Sequence, residues 1–242
     1  MPTHKKPSFN ADLGEGCAND EALLQTVTHA NVACGVHAGD AMTMLTTCRL
    51  AKRYGVAIGA HPSYPDREGF GRKSMQLPPD EISAVVAQQI GALIGIARLA
   101  DCAVTHVKPH GALYNDANDN PELARAIVRA IAAVDSNLVV FGMAGSRVEE
   151  ACRKLSLRYM SEAFPDRAYT SGGRLAPRSL NGAVLHDPAE IAVRALAMVR
   201  DGRVLCIDGA EVTISAETLC IHGDEPGAAD VAQAVRAAFE QP

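Results

Sequence analysis

Residues able to perform catalysis collect at the ends of short apolar runs in this chain of 242 residues. Five of its eight histidines stand at such ends, together with several carboxylates and one lysine. Imidazole and carboxylate groups bind divalent metal ions and transfer protons, and cationic side chains stabilise developing negative charge. The pattern therefore favours an enzyme active site. Its candidate residues are Asn10, Asp12, His37, His61, His106, Lys108, His110, Asp166, Arg167 and His222.

Some of these residues have the donor types of a hydrolytic metal site. Asp12, His61 and one of His106 or His110 would supply a carboxylate and two imidazoles. The proline after His61 holds that residue's backbone extended, and His106 and His110 share one parity of a strand. We predict that Asp12, His61 and at least one of the other two converge. A structural role is the alternative for His106, which lies further from the strand end.

Cationic side chains accompany the same strand ends. Lys108 lies on an apolar strand, where an unpaired ammonium is costly, so we predict a site role for it. The segment Gly69-Phe70-Gly71-Arg72-Lys73 puts two cations beside glycines, as an anion-binding loop does, although a mobile surface loop has the same composition. Asp166 and Arg167 form either part of the site or an ordinary ion pair.

Several familiar catalytic motifs do not occur in the sequence. The pattern G-x-x-x-x-G-K-[ST] is absent, so any handling of ATP does not use a P-loop. G-x-S-x-G and H-E-x-x-H are absent as well, which excludes a nucleophile elbow and the common zinc-protease helix. The remaining hypotheses are those in which carboxylates, histidines and a lysine act together.

The elements that position these residues alternate between short β-like runs and helical segments, about seven times along the chain. Such alternation predicts a parallel sheet whose strand ends share one face. We expect an α/β fold, a TIM-like barrel forming one domain over residues 1–242, with a β-hairpin insertion near 203–215. An open doubly wound sheet is the alternative, but G-x-G-x-x-G does not follow the first run. The runs are Ser8–Asp12, Ala30–Cys34, Val56–Ala60, Val104–Lys108, Leu138–Phe141, Arg158–Glu162 and Thr218–His222.

Helix starts are marked by capping residues between these runs. Asp40 precedes a segment with apolar residues at helical spacing, and Asn120-Pro121 and Asp187-Pro188 have the order of an N-cap and a first helical residue. Pro78-Pro79 opens a further helix with a mostly apolar stripe. These starts predict helices that cover the outside of the barrel.

Composition and charge limit the class of protein. The formal net charge is −5, which argues against nucleic acid or an anionic membrane as the main partner. No uninterrupted run of about 18 apolar residues occurs, and no apolar run follows Lys5 and Lys6, so neither a membrane span nor a signal peptide is predicted. The seven cysteines are scattered without a C-x-x-C pair, as in reduced cytosolic proteins. We therefore expect a cytoplasmic protein.

Several blocks of the sequence are similar to those of one known family. They include Asn10–Gly16 (NADLGEG), Asn31–Asp40 (NVACGVHAGD) and Val107–Asn115 (VKPHGALYN). On these blocks the chain resembles the LamB/YcsF family, the group of 5-oxoprolinase A subunits, and the likeness runs in order from about Phe9 to the final helix. Further similar blocks are Gly59–Pro62, Gly69–Arg72, Gln89–Leu93, Asp166–Tyr169, Pro177–Arg178 and Cys220–Asp224.

The resemblance implies a seven-stranded β/α barrel of the glycoside hydrolase/deacetylase type. It also implies an ATP-hydrolysing enzyme that opens the lactam 5-oxo-L-proline (pyroglutamate) to L-glutamate, together with two partner subunits of B and C type. ATP would be a co-substrate, bound by this chain or by a partner, and a divalent metal ion could bind as well.

The candidate residues divide by role for such a reaction. Asp12, Lys108 and His110 are expected to be catalytic, with Asp12 or a metal-activated water as the base and Lys108 stabilising negative charge. An arginine suits the substrate carboxylate, and Arg167 or Arg178 is expected to bind it. The other expected residues for substrate or phosphate are Asn10, His37, Arg72, Asp166 and His222, and the expected metal ligands are Asp12, His61, His106 and His110.

Two other functions remain open from the sequence. A metal-dependent deacetylase or amidohydrolase, acting on an N-acetyl sugar or a related amide, would need a divalent ion and no ATP. A non-catalytic binding subunit would bind ligand, and its mutation at the strand ends would leave turnover unchanged. The many convergent ionisable groups favour a catalytic role over that last alternative.

Overall fold

The structure, a computed structural model, describes residues 6–222 and 227–240. Gly223 and Asp224, which end the last of the similar blocks, lie outside the described residues. Their neighbour His222 is described and follows directly on the last strand of the barrel.

Strands alternate with helices along the described part of the chain, and seven of the strands are parallel and close into a barrel. The strands are β1 (Ser8–Leu13), β2 (His29–Ala33), β3 (Ala57–His61), β4 (Val104–Val107), β5 (Val139–Met143), β6 (Tyr159–Ala163), β7 (Arg203–Leu205), β8 (Glu211–Thr213) and β9 (Thr218–Ile221). The order around the barrel is β1-β2-β3-β4-β5-β6-β9. Strand β1 pairs with β2 on one side and with β9 on the other, with Asn10 opposite both His29 and Cys220. The predicted fold class, an α/β barrel of seven strands, is confirmed.

Helices follow the strands and cover the barrel. The predicted N-caps are confirmed, because the side chains of Asp40, Asn120 and Asp187 each accept hydrogen bonds from backbone N–H groups of the first helical turn. The helices are α1 (Asp20–Leu24), α2 (Ala41–Tyr54), α3 (Pro79–Leu99), α4 (Gly111–Asp119), α5 (Pro121–Val134), α6 (Arg147–Lys154), α7 (Pro188–Leu196) and α8 (Ala228–Glu240), and a π-helical turn, Ala197–Asp201, extends α7.

Helix α4 was not predicted from the sequence. It begins with glycine and contains Asn115, Asn118 and two aspartates, residues that favour turns and caps over helix interiors. Its buried residues include Leu113 and Tyr114, so packing against the barrel overrides the low helix propensity. The consequence for the site is that His110 stands at the start of this helix.

Helix α3 is long and apolar enough, by length and composition alone, to cross a membrane. No membrane span was predicted from the sequence. Core helices of soluble proteins also meet this criterion, and α3 buries Val86, Ile90 and Leu93 as part of the core while contacting α5, α2 and β3. Its position is that of a helix covering the outside of the barrel.

Two segments depart from the simple alternation of strand and helix. Strands β7 and β8 pair antiparallel in a hairpin, with Gly209 at a φ of 82° in the turn. Residues 164–187 form a long loop after β6, in which Tyr169 and Leu175 form an isolated antiparallel bridge. This loop extends over the carboxyl ends of the strands and lines the cavity there.

Candidate active site

Three predicted metal ligands meet at the carboxyl ends of β1, β3 and β4. The Nε2 atom of His61 lies 3.3 Å from Oδ2 of Asp12 and 2.9 Å from Nδ1 of His110. The donor atoms of the three residues all lie within 4.8 Å of one another, and all three side chains are buried. The structure thus brings together one carboxylate and two imidazoles, the donor set expected of a hydrolytic metal site.

The outer nitrogen of each imidazole is held by a backbone carbonyl. Nδ1 of His61 donates to the carbonyl of Lys108 at 2.7 Å, and Nε2 of His110 donates to the carbonyl of Phe70 at 2.8 Å. A carbonyl can only accept, so these bonds place a proton on the outer nitrogen of each ring. The inner nitrogens, Nε2 of His61 and Nδ1 of His110, are then the atoms available to a metal ion, as in metal-binding histidines held by supporting hydrogen bonds.

Glu15 and His37 lie beside this group, on the side of His110. Oε1 of Glu15 lies 3.1 Å from Nε2 of His37 and 3.4 Å from Nδ1 of His110. The ring of His37 stacks on that of His110 with centroids 3.9 Å apart and an interplanar angle of 5°. Burial and the neighbouring His61 lower the pKa of His37 to about 3, so its ring is neutral and donates to Glu15. Sequence reasoning missed Glu15, although it belongs to the NADLGEG block.

Two glycines allow the loop after β3 to close over His110. A Cβ atom on Gly71 would lie 2.8 Å from the ring of His110, and one on Gly111 would lie 2.5 Å from the carbonyl oxygen of Gly71. Both glycines have positive φ, 66° and 58°, and the carbonyl of Gly71 accepts from the N–H of Ala112 at 2.9 Å. This contact fixes the carbonyl of Phe70 that orients His110.

Lys108 is buried at the base of the same site. Its Nζ atom lies 3.0 Å from Oδ1 of Asp12, 3.2 Å from Oε1 of Glu162 and 2.8 Å from Sγ of Cys220. Burial disfavours the ammonium, but the charges of Asp12 and Glu162 outweigh it and raise the pKa of Lys108 well above its usual value. Lys108 is therefore a fixed positive charge with 2 % exposure.

Asp12 is ionised by the same contacts. Burial alone would raise its pKa, but the charges of His61 and Lys108 hold the pKa of Asp12 well below its usual value. Its Oδ1 atom also accepts from Nδ2 of Asn31 at 2.9 Å, and the same Nδ2 donates to Oδ1 of Asn10 at 2.7 Å. Asn31, another residue that sequence reasoning missed, orients the carboxylate of Asp12 from below.

His106 does not join the metal-binding group. Its Nε2 lies 3.1 Å from Oδ1 of Asn31, and its ring stacks on Phe141 with centroids 4.4 Å apart. Burial, with the nearby His29, lowers the pKa of His106 well below its usual value, so the ring is neutral. The structure corrects its predicted placement among the metal ligands: His106 lies one layer deeper in the barrel, over Gly59, where a Cβ would approach its ring to 2.2 Å.

Asp166 and His222 form a pair on the opposite side of the cavity from His61 and His110. Nδ1 of His222 lies 2.7 Å from Oδ2 of Asp166, which also accepts from the His222 N–H at 3.2 Å. Burial would raise the pKa of Asp166, but the charge and hydrogen bonds of His222 lower it below its usual value. The His222 ring stacks on Phe164 at 5.5 Å and lines the cavity, so its other nitrogen faces the site.

The cavity above these groups has a volume of about 430 Å³. Arg72, Arg167, Arg174 and Arg178 line it, and so does α4. Arg167 donates to the backbone carbonyls of Ala176 at 2.7 Å and Ala183 at 3.2 Å, so it also holds the loop after β6 in place. The predicted anion-binding arginines therefore all line the cavity.

Three predicted binding residues lie behind the lining of the cavity. Asn10 donates to Glu162 at 2.8 Å and to Thr218 at 2.9 Å beneath Lys108. His37 lies behind His110, and Asp166 lies behind His222. These residues orient the lining residues, whereas Asp12, His61, Lys108, His110, Arg72, Arg167, Arg178 and His222 reach the cavity themselves.

The balance of charge in the buried group favours a bound cation. His61 lies between the carboxylates of Asp12 and Glu15, and the ammonium of Lys108 lies between those of Asp12 and Glu162. Burial opposes the charged form of His61, yet Asp12 raises the pKa of His61 above its usual value, so the position between them attracts positive charge. Buried carboxylates need such compensation, and a divalent ion held by Asp12, His61 and His110 fits both the donors and the charge.

A second set of donor atoms is less suited to a metal ion. Asp12, Cys220 and His222 also place their donor atoms within 4.8 Å of one another. The ammonium of Lys108, however, contacts both Asp12 and Cys220 and already supplies a positive charge there.

Comparison with known proteins identifies the family of the chain. The sequence profile of the LamB/YcsF family matches residues 8–242. A crystal structure of a lactam utilization protein from Thermus thermophilus is 48 % identical with a TM-score of 0.91, over 98 % of this chain and 97 % of that one. A proposed cellobiose-phosphate cleavage protein from Enterococcus faecalis is 16 % identical with a TM-score of 0.53, over 98 % and 95 % of the two chains, a likeness of fold alone. The chain therefore belongs to the LamB/YcsF family.

Proposed function

We propose that this chain is the ring-opening subunit of an ATP-dependent 5-oxoprolinase, which converts 5-oxo-L-proline to L-glutamate. The observation that carries the proposal is the buried group of Asp12, His61, Lys108 and His110 under a cavity rimmed by arginines. Such a group suits hydrolysis of a small anionic substrate. The name of the Thermus thermophilus relative, a lactam utilization protein, supports a lactam as the substrate class.

The lactam needs activation because resonance gives its C–N bond partial double-bond character. Transfer of a phosphoryl group from ATP to the lactam oxygen removes that resonance. The sequence has no P-loop, so we assign this transfer to the two partner subunits, of B and C type, and the opening of the ring to this barrel. ATP is then a co-substrate of the complex, which we place in the cytoplasm.

The residues of this chain divide the ring-opening work between them. Asp12 is ionised and lies beside the cavity, where it can accept a proton from the attacking water. The ammonium of Lys108, fixed 3.0 Å from Asp12, stabilises the negative charge that develops as water adds to the ring carbon. Arg72 and Arg178 at the rim suit the substrate carboxylate and the phosphoryl group.

A divalent ion held by Asp12, His61 and His110 would supply Lewis-acid stabilisation at the same end of the cavity. The residues around those ligands hold them in place. Glu15 and His37 support His110 from one side, and the carbonyls of Phe70 and Lys108 fix the two imidazoles.

The test is a comparison of glutamate formed from 5-oxoproline and Mg-ATP by this chain alone and by the chain with its partner subunits. We expect glutamate only from the mixture, with ATP consumed in step. Robust turnover by the isolated chain would contradict the need for partners. Turnover without ATP would instead favour a metal-dependent amidohydrolase or deacetylase, the second function that the Asp12–His61–His110 group suits. A non-catalytic binding subunit would keep full turnover in the complex when Lys108 is replaced.

A further inference from the structure

The activated lactam can react with water in two ways, and only one of them opens the ring. Addition of water to the ring carbon gives a tetrahedral adduct that carries a hydroxyl, the phosphoryl oxygen and the ring nitrogen. If the C–O bond to phosphate breaks, phosphate leaves and the lactam forms again. If the C–N bond breaks, an acyl phosphate and a free amine form, and a second water converts the acyl phosphate to glutamate and phosphate. Phosphate leaves without help, whereas the nitrogen must first gain a proton.

A proton donor at the ring nitrogen therefore decides whether ATP is used productively. Among the described residues, the cavity lining besides the metal ligands holds the carboxylates Asp116 and Asp119, which are engaged by Tyr64, Ser74 and Arg174, and three further proton donors, Lys108, Tyr114 and His222. The ammonium of Lys108 is enclosed by Asp12, Glu162 and Cys220 at the base of the cavity, and burial, together with Glu162, raises the pKa of Tyr114 well above its usual value. His222 is the remaining donor, and imidazole is the side chain that enzymes use most often for proton transfer.

The placement of His222 suits this role. Strand β9 lies between β6 and β1, so His222 enters the cavity beside Asp12 of β1, with donor atoms within 4.8 Å of one another, and across the barrel from His61 and His110. Oδ2 of Asp166 accepts a hydrogen bond from Nδ1 of the ring at 2.7 Å and orients the ring, which leaves Nε2 toward the cavity. Phe164 stacks on the ring and limits its rotation.

We infer that His222, held by Asp166, is the catalytic acid that protonates the ring nitrogen and commits the adduct to cleavage of the C–N bond. The proton passes from Nε2 of His222 to the nitrogen as that bond breaks, and the hydroxyl proton of the adduct passes to Asp12, which has by then released the proton of the attacking water to solvent. Asp166 is a positioning residue for the ring. This inference rests on the proposed function. It adds that His222 prevents unproductive use of ATP, because without the acid the site would release phosphate and form the lactam again.

The test uses the complete complex with 5-oxoproline, Mg-ATP and water labelled with oxygen-18. In the unaltered complex, phosphate and glutamate should form in equal amounts. His222→Gln should lower glutamate formation by about 10²–10⁴-fold, as for loss of a general acid, and lower phosphate release far less. The recovered 5-oxoproline should then carry label, because the water oxygen stays when phosphate departs. Asp166→Asn should change the ratio of phosphate to glutamate in the same direction and by less.

Lys108→Met is the matched control, since it slows the site without removing the acid. We expect it to lower phosphate and glutamate together. An equal ratio of phosphate to glutamate in His222→Gln and Lys108→Met would overturn the inference, as would unlabelled 5-oxoproline in His222→Gln. Failure of the unaltered complex to make glutamate would instead refute the proposed function itself.

Discussion

The base and the rim of the cavity are built in different ways. At the base, Asp12, His61 and Lys108 stand on strands or at strand ends, and each makes two or more hydrogen bonds or ion pairs to other buried groups. At the rim, Arg72 and Arg174 stand on loops, and Arg174 pairs with the exposed Asp119. The charged side chains at the base are therefore fixed in position, whereas those at the rim are exposed to solvent.

The difference shows where the site is rigid and where it can adapt. Buried charges that share partners lose much stability when one partner is removed, because the other is left uncompensated. Exposed ion pairs contribute little, since water and salt screen them. Replacing a residue at the base should therefore lower turnover strongly. Replacing one at the rim should change the free energy of unfolding only slightly.

The largest effect should follow from removal of the buried ammonium. Lys108→Met keeps roughly the length of the side chain and deletes its charge, so turnover of the complex should fall about 10²–10³-fold, as for loss of one charge-stabilising donor. The circular dichroism spectrum should remain that of the folded chain. Near-normal turnover would show that the base of the cavity is no more critical than its rim.

Loss of a metal ligand should weaken binding of a divalent ion. His61→Gln removes one imidazole from the group, and the affinity for Co²⁺ should fall by more than the ~10–100-fold seen when only a supporting residue is lost. Titration followed by cobalt absorption measures this without any substrate. His186→Gln, on the loop after β6, serves as the control and should keep the affinity. Equal affinities in the two variants would argue that His61 does not bind the ion.

An added methyl group beneath the site should destabilise the chain. In Gly59→Ala the new Cβ would lie 2.2 Å from the ring of His106, and such overpacking costs about 1–3 kcal/mol of the free energy of unfolding. Urea denaturation would measure the loss. Gly91→Ala, on α3 with no described atom within 4 Å of the added one, should instead be neutral or stabilise by up to about 1 kcal/mol. Equal stabilities of Gly59→Ala and Gly91→Ala would mean that the structure around His106 shifts easily to accommodate the added methyl group.

The smallest effect should come from the rim. The hydrogen bond from Arg174 lowers the pKa of Asp119 below its usual 3.8, so this pair stabilises the fold at higher pH and the contribution disappears as pH falls through the lowered value. Asp119→Asn should cost about 0.2–1 kcal/mol at neutral pH and low salt. Thermal unfolding of the unaltered chain and of Asp119→Asn at several pH values would measure this loss of stability. If the difference in stability between the two proteins persisted at a pH below the lowered pKa of Asp119, or did not depend on salt concentration, the electrostatic explanation would be wrong.

The fold and the ends of the strands could be predicted from the sequence because both depend on local patterns. Alternating apolar runs and helical segments indicated the barrel, and strand-end placement indicated that Asp12, His61 and one of His106 or His110 converge. Asn31 and Glu15 could not be predicted as parts of the site, since their roles depend on contacts between distant strands and loops. His106 has the same parity as Lys108 and differs only in depth, which the sequence pattern leaves open.

The pairing of β1 with β9 has a consequence for the folding of the chain. Residues about two hundred positions apart close the barrel, as in the contact between Ser8 and Thr218, which are separated by 210 residues. Contacts of such long range form late and slow folding. On the ribosome, the first strand must wait with one edge unpaired until the last strand has emerged. Asp12 on β1 and His222 at the end of β9 face one cavity and can therefore meet only in the final step of barrel closure.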